Sequence, residues 1–567
     1  MFLPVTSADM KKRGWDACDI IIVTPDAYVD HPSFAMALLG RFLEKQGYRV
    51  GIISQPKWKD PENFLKLGIP KIAFAVSGGQ MDSMVLNYTA TKKPRREDLF
   101  CEDKNPFFSK KGEKKYRIRP DRCINVYCSQ IRSVCKEKPI IIGGIEASLR
   151  RVAHYDYWSD KIKKSILTDS KAQVLIYGMG EYPLLRTVQA IEEGIPFEEM
   201  KIENTVVLKK GSNISDITDS VSCITLPSFE EVASQKEAFA KAQVIFEENY
   251  DEKIIVQNQD SRYIVQYPPM KLTQKELDEI YSSDFERKIH PSFRNVPAFD
   301  MIRTSVTSHR GCYGDCSFCA LAIHQGKRVV SRSHESILDE IEKISGEKGF
   351  SGTISDIGGP SANMYASSCR IGGCSRHDCL KDGNGCKNFI PGTDDYLKLL
   401  KKASEIHGVK NVQINSGIRF DPCILNEVFL KEVLRNYISG QMKVAPESGS
   451  DLVLHLMNKP ESKIFESFLE KFEQVKKKCG VKKYVIPYII AGHPGEGERE
   501  AEETRKFLVR NRLSGRQFQI FTPTPMTRST AMYYLGYDPY TGEWLAVEKN
   551  SKILMKRKDS MHFSNIK

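Results

Sequence analysis

Short apolar runs separated by amphipathic stretches set the rhythm of this chain. Residues 19–24 (DIIIVT) form a strand-length run rich in β-branched side chains, and Phe34, Leu38, Leu39, Phe42 and Leu43 then recur at helical spacing over 32–45. Pro32 suits a first helical turn and Gly47 a stop, so with the next run, 49–54, the segment predicts a βαβ unit. Further buried-strand candidates lie at 71–76, 139–142 and 172–177, and several end in glycines: Gly78 and Gly79, Gly143 and Gly144, Gly178 and Gly180. Strands of this kind alternating with helices predict an open parallel sheet whose carboxyl ends form a crevice. Gly143 and Gly144 fit either a phosphate cradle or a plain tight turn.

The rhythm then changes twice. Residues 91–119 are dominated by charge and predict an exposed excursion, while 229–250 predicts a long charged helix and 253–257 with 263–267 a hairpin. From 302 onward, strand-like runs at 303–307, 353–357, 411–415, 441–444, 484–490 and 517–521 alternate with helical stretches at 335–344, 394–406, 424–435, 463–478 and 498–511. Six such units are too few to close an eight-stranded barrel, so they predict an open, partial one with its chemistry in loops at the strands' C-terminal ends.

Length and composition refine this. At roughly 100–200 residues per domain, the 567 residues predict an N-terminal α/β domain (1–194), a connector (195–299), a partial barrel (300–522) with a cysteine-rich insert (367–388), and a C-terminal cap and basic tail (523–567). Lys and Arg outnumber Asp and Glu by 84 to 72, a net charge of +12, which permits an RNA or phosphate-bearing substrate without arguing for one. Seven of the 15 cysteines are clustered between Cys312 and Cys386, and no secretory leader is visible, so the expected compartment is a reducing cytoplasm with metal-binding thiols. No apolar run approaches the ~18 residues that span a bilayer.

Residues 309–319, HRGCYGDCSFC, place Cys312, Cys316 and Cys319 at C-x-x-x-C-x-x-C directly after the first barrel strand. A [4Fe-4S] cluster normally takes four cysteines, so three leave one iron open to an exchangeable ligand; a zinc knuckle or free thiols are the plainer readings. The spacing, with the aromatic Phe318 before the third cysteine, resembles the signature of radical S-adenosylmethionine (SAM) enzymes. Later strand ends extend the resemblance. Gly358 and Gly359 are similar to the glycine element that binds the SAM amino group, Glu447 and Ser448 to the ribose-contacting element, and Gly492 and Pro494 to the turn facing the adenine. The stretches TSVTSHRGCYGDCSFCALAIHQGKRVVSR, SDIGGPSANMY, VAPESGSDLV, YIIAGHPGE, FTPTPMTRSTAMYY, IGGIEASLRR and IYGMGEYPL look like the YgiQ-type radical SAM proteins over nearly the whole chain.

That resemblance implies a radical SAM enzyme. The three cysteines would bind three irons and SAM the fourth, and a one-electron donor such as flavodoxin or ferredoxin would drive cleavage to methionine and a 5′-deoxyadenosyl radical. It assigns no substrate and no catalytic residue. The alternatives are a tRNA- or ribosome-modifying radical SAM enzyme, against which stands the lack of a visible small RNA-binding β-barrel after the core, and a non-catalytic iron–sulfur protein that senses redox state or binds nucleic acid.

Cys369, Cys374, Cys379 and Cys386 fall in a Gly-rich stretch too poor in apolar side chains to make a core. They predict a second metal, either an auxiliary cluster or a structural zinc, with His377 as a possible further ligand. The N-terminal domain resembles flavodoxin-like and cobalamin-binding domains. In its loop, Asp30 is adjacent to His31 and Phe34 replaces the glycine of D-x-H-x-x-G, which argues against cobalamin. His324, His407 and His455 read as surface or helix histidines, and Cys18, Cys101, Cys123, Cys128, Cys135, Cys223, Cys423 and Cys479 as scattered structural thiols. Residues 522–540 fit a substrate-facing lid or a packed cap, and 552–567 a solvated tail.

Overall fold

The βαβ pattern at the start of the chain forms strand β1 (Ile20–Thr24), helix α1 (Ala35–Lys45) and strand β2 (Val50–Ser54). The computed structural model describes residues 1–109, 115–211, 223–374, 379–513 and 517–562. It divides into two units, Met1–Lys271 with Glu279–Arg303, and Leu272–Asp278 with Thr304–Lys567.

In the first unit, β3 (Ala73–Ser77), β4 (Ile140–Gly143) and β5 (Val174–Ile176) continue a parallel sheet in the order β2-β1-β3-β4-β5. Every residue of β1 is buried, which is why the run is continuously apolar rather than alternating. The sheet does not stop there. Strands β6 (Thr205–Lys210), β7 (Cys223–Leu226), β8 (Ile254–Gln259) and β9 (Arg262–Gln266) extend it in the order β5-β6-β9-β8-β7. The stretch expected to be a connector therefore belongs largely to the first unit. Its first strand pairs antiparallel with β5, Val174 opposite Val207 and Ile176 opposite Thr205, covering an apolar edge that would otherwise be open.

Two local expectations differ from the structure. The charged helix breaks at Gln235, extended at φ −129 and ψ 121, into Phe229–Ser234 and Lys236–Asn249. Within 91–119, Asp98, Cys101 and Arg119 are buried. Arg119 Nη2 lies 2.7 Å from Asp26 Oδ1 and 2.9 Å from Asp98 Oδ2, so the guanidinium enters the interior with its compensating carboxylates.

The second unit carries the partial barrel. Its strands are β10 (Ser305–Thr307), β11 (Thr353–Ile354), β12 (Asp356–Gly358), β13 (Asn411–Val412), β14 (Gln441–Glu447), β15 (Tyr484–Ala491) and β16 (Phe518–Ile520). All pairings are parallel: β10 with β12, β11 with β13, and β14 with β15 with β16. The expected second strand splits at Ser355, its two halves pairing with opposite neighbours. Helices Thr393–Ser404 and Ser462–Cys479 turn Leu399, Leu400, Phe465, Phe468 and Phe472 onto the strand side chains Val412, Met442, Val444 and Ile489 in one core.

The C-terminal stretch is packed. Ser529, Thr530, Ala531 and Met532 on helix Arg528–Leu535 are buried, which realises the cap rather than the lid. Helix Ser551–Ser560 follows, and Leu554 and Met561 are buried, so the solvated tail is corrected: two apolar side chains suffice to dock it. Among the described residues no helix is long and apolar enough to cross a membrane.

Candidate cluster and SAM site

Strand β10 delivers the chain into a loop that its glycines make possible. Gly311 has φ +80, and a Cβ there would lie 1.8 Å from the Arg328 carbonyl oxygen. A Cβ on Gly314 would lie 2.4 Å from Arg419 Nη1 and 3.2 Å from Cys312 Sγ, so only glycine admits that guanidinium beside the thiols. The Gly314 N–H donates to Cys312 Sγ at 3.3 Å and the Cys319 N–H to the Cys316 carbonyl at 2.9 Å. Burial, then the neighbouring Cys316 and Cys312 thiols, pushes Cys319 up to about 12. Burial also raises Cys312, and the Arg419 charge opposes it. Burial and the neighbouring thiols thus keep Cys312 and Cys319 protonated until a cation neutralises them, as a metal site requires.

Arg419 was not singled out from sequence. Its guanidinium is buried and forks onto Asp421, Nε to Oδ2 and Nη2 to Oδ1, both at 2.8 Å. Asn363 fixes its backbone, accepting from the Arg419 N–H at 2.9 Å and donating to its carbonyl at 2.8 Å. The available signal was R-x-D in the loop after the third barrel strand, too common a pattern to stand alone.

The glycine element lies against the triad loop. A Cβ on Gly359 would fall 2.6 Å from His309 Cε1, and one on Gly358 2.2 Å from Ser416 Oγ. His309 is fully buried and burial pushes it to about 4, so the imidazole is neutral. Its Nδ1 is 2.9 Å from Ser308 Oγ, which itself donates to the Gly358 carbonyl at 3.1 Å. Nε2 has no hydrogen-bond partner among the described residues.

Glu447 ends β14 at φ +70, a left-handed conformation that costs a non-glycine residue about 1–2 kcal/mol. Burial raises its carboxyl while Lys459 and Arg419 pull it down, and no hydrogen bond to it is found among the described residues. Ser448 is spent on the scaffold: its hydroxyl is 3.0 Å from Thr504 Oγ1 and accepts from the Ser450 N–H at 3.1 Å.

The G-x-P-G-E turn is brought to the triad by side chains other than those expected. The His493 ring meets Phe318 edge-on at 6.4 Å, and its Nε2 is 2.6 Å from Ser529 Oγ. The Ser529 N–H donates to the Ser317 carbonyl at 3.0 Å. Gly492, by contrast, donates its N–H to Glu496 Oε1 at 2.7 Å, and a Cβ there would meet Leu554 at 2.2 Å. Pro494 turns its carbonyl to His493 Nδ1 at 2.8 Å. Burial pushes Glu496 up to about 7, and its Oε2 is buried without a hydrogen-bond partner.

Cys369, Cys374, Cys379 and Cys386 line one cleft; His377 lies outside the described residues. Cys423 is not scattered, since a Cβ on Gly385 of the insert would lie 3.1 Å from its sulfur. His407 and His455 are exposed and His324 half-buried, as expected. In the first unit, Asp30 pairs with Arg41. His31 Nδ1 accepts from the Ser33 N–H at 3.1 Å while its Nε2 faces Arg287 Nη1 at 3.0 Å.

Comparison with known proteins agrees with this geometry. The Radical SAM N-terminal profile matches residues 2–305 and the Radical SAM superfamily profile residues 306–508. Two solved structures of the radical SAM methyltransferase TsrM from Kitasatospora setae share the fold. One, with cobalamin and a [4Fe-4S] cluster bound, superposes with a TM-score of 0.51 at 12% identity, covering 94% of this chain and 83% of that one. The other, with tryptophan and a SAM analogue, gives 0.50 at 13%, covering 89% and 74%. The profile matches define a protein of the radical SAM superfamily. Within that superfamily the chain belongs to the UPF0313 family. It is 43% identical over 577 residues to the UPF0313 protein of Clostridium botulinum strain 657, covering 99% of this chain and 88% of the relative. It is 45% identical over 578 residues to that of Thermotoga neapolitana, covering 99% of both.

Proposed function

We propose that Cys312, Cys316 and Cys319 hold a [4Fe-4S] cluster that takes SAM at its open iron, and that the protein is a radical SAM enzyme. The observation that carries this is three half-buried thiols in one glycine-shaped loop beside the buried Arg419 guanidinium, with Glu447 and His309 Nε2, neither hydrogen-bonded among the described residues, in strand-end loops. When bound, the cluster supplies a single electron to the sulfonium of SAM; the protein binds, orients and excludes water. Arg419 offsets the negative charge of the thiolates. Glu447 accepts from the ribose hydroxyls, which gives its strained backbone a use. His309 Nε2, on an imidazole that burial keeps neutral, accepts from the SAM amino group beside Gly358 and Gly359. The G-x-P-G-E turn supports Phe318 and the triad loop through His493 and Ser529 rather than through Gly492.

The test is anaerobic reconstitution followed by reduction with SAM present, assayed for iron, 5′-deoxyadenosine and methionine. Wild type is expected to bind the cluster at the triad and cleave SAM, and Cys312→Ala to lose the triad's share of the iron and all SAM cleavage. A cluster without SAM cleavage would favour the non-catalytic iron–sulfur alternative. RNA modification rests on motif likeness alone and is not carried further.

The sequence argument against cobalamin does not survive a protein of the same fold that binds it. His31 is engaged by Arg287 and does not fit an axial ligand, so cobalamin held in this unit would bind without that histidine. Titration of the protein with hydroxocobalamin, followed by its absorption spectrum, measures this directly; the same affinity is expected for wild type and His31→Ala.

A further inference from the structure

We infer that Cys369, Cys374, Cys379 and Cys386 bind a second iron–sulfur cluster, and not a single zinc ion. The four thiols are spread over an 18-residue stretch, yet all four line the same cleft. They are held there by backbone hydrogen bonds. Ser368–Cys369 pairs antiparallel with Phe389–Ile390, the Cys386 N–H donates to the Cys379 carbonyl at 2.8 Å, and the Gly372 N–H donates to the Cys369 carbonyl at 3.0 Å. The Asn388 N–H reaches Cys386 Sγ at 3.5 Å, a donor aimed at a sulfur of the kind that tunes cluster ligands.

The spacing chooses the metal. A tetrahedral zinc holds each sulfur at ~2.3 Å, which brings the sulfurs within ~4 Å of one another. The sequence spacing C-x4-C-x4-C-x6-C lacks the two short C-x2-C pairs of four-cysteine zinc ribbons and suits a cluster, which spreads its ligands over several irons. Charge agrees, because four thiolates need compensation and Arg328 lines the cleft and touches the insert: a Cβ on Gly373, at φ +123, would lie 2.9 Å from its guanidinium.

The insert also needs a ligand to hold it. Its Ile371 is 59% exposed and Leu380 is its one deeply buried aliphatic side chain among the described residues, so apolar burial does not offset the entropy of ordering it. Metal binding supplies that free energy. Each coordination forms one iron–sulfur bond and releases the thiol proton to solvent; the cluster's ferrous and ferric iron, in equal parts, and its sulfide all come from outside the protein. Tyr313, next to Cys312, lines the cleft and packs edge-on against Phe389 at 5.6 Å. The same apolar patch touches Cys312 on one side and Cys369, Cys379 and Cys386 on the other, which places the second cluster beside the first.

The test counts metals in the full-length protein. After anaerobic reconstitution, wild type is expected to hold about eight irons and eight sulfides per chain, and a Cys312→Ala, Cys316→Ala, Cys319→Ala triple variant about four. A Cys369→Ser, Cys386→Ser variant is expected to hold about four and to keep SAM binding. The triple variant leaves the insert intact, so its iron count stands even where the double variant misfolds. One zinc in place of the four irons in the triple variant overturns the inference, as does a triple variant free of iron. In the latter case, four irons in wild type would leave the proposed SAM site standing, whereas none in wild type would fail both.

Discussion

Glu447 and Arg419 are the two side chains around the triad whose cost is visible. A glutamate in a left-handed backbone conformation at a buried strand end is strained without local compensation, which marks a residue retained for a ligand. Replacing Glu447 with Gln in the reconstituted protein is expected to weaken SAM binding about tenfold, the worth of one hydrogen bond to a charged acceptor, with iron content unchanged; calorimetric titration measures it. Glu447→Gly is expected to be roughly 1 kcal/mol more stable than Glu447→Ala, because only glycine relaxes at that φ. Equal stability of the two would remove the strain argument. Arg419 yields a different pattern. Arg419→Met strands the Asp421 carboxylate and should destabilise by about 3–5 kcal/mol, most of which an added Asp421→Leu should restore. Iron retention should stay low in the double variant, because no cation then faces the thiolates. Recovery of full iron loading with stability would assign Arg419 to the scaffold alone.

At the scale of elements, what could be read in advance was what is local. The alternation of β-branched runs with amphipathic stretches placed the barrel strands and helices within a few residues, and the triad was legible because its three thiols lie within eight residues. What escaped depends on distant pairing. The extension of the first sheet by β6 to β9 requires β5 to have an open edge, which no local pattern records. Arg419 reaches the thiols from more than a hundred residues downstream. The last described helix, Ser551–Ser560, reads as charged because Leu554 is its one buried residue, and its seat is the G-x-P-G-E turn. Arg557 donates to the Glu496 carbonyl there at 2.9 Å. That seat predicts a pH dependence. An unfolded Glu496 ionises near its ordinary 4.5, whereas the folded one keeps its proton to about 7. Between those values the folded state binds the extra proton, so stability from this group is present at low pH and falls as pH rises through the window. From about pH 5 to about pH 7.5, the urea midpoint of wild type is expected to drop relative to Glu496→Gln, by on the order of 3 kcal/mol at most. A constant difference between the two proteins would show that Glu496 ionises normally.

Across the whole molecule, cysteine chemistry is divided unevenly. The first unit buries Cys18, Cys101, Cys123, Cys128 and Cys135 as free thiols spread along its sequence. The thiols of the triad and the insert, along with Cys423, all belong to the second unit. Metal that binds the folded second unit and not its unfolded chain stabilises that unit by mass action. Iron loading is therefore expected to slow hydrogen exchange in peptides from residues 304–562, most strongly around 311–330 and 366–390, and to leave peptides from 1–271 unchanged. The measurement compares reconstituted protein with chelator-treated protein, both held anaerobically so that thiol oxidation does not stand in for metal loss. Protection that rose equally in both halves would mean that metal acts on the chain as one cooperative body, and the assignment of metal-linked stability to the second unit alone would have to be given up.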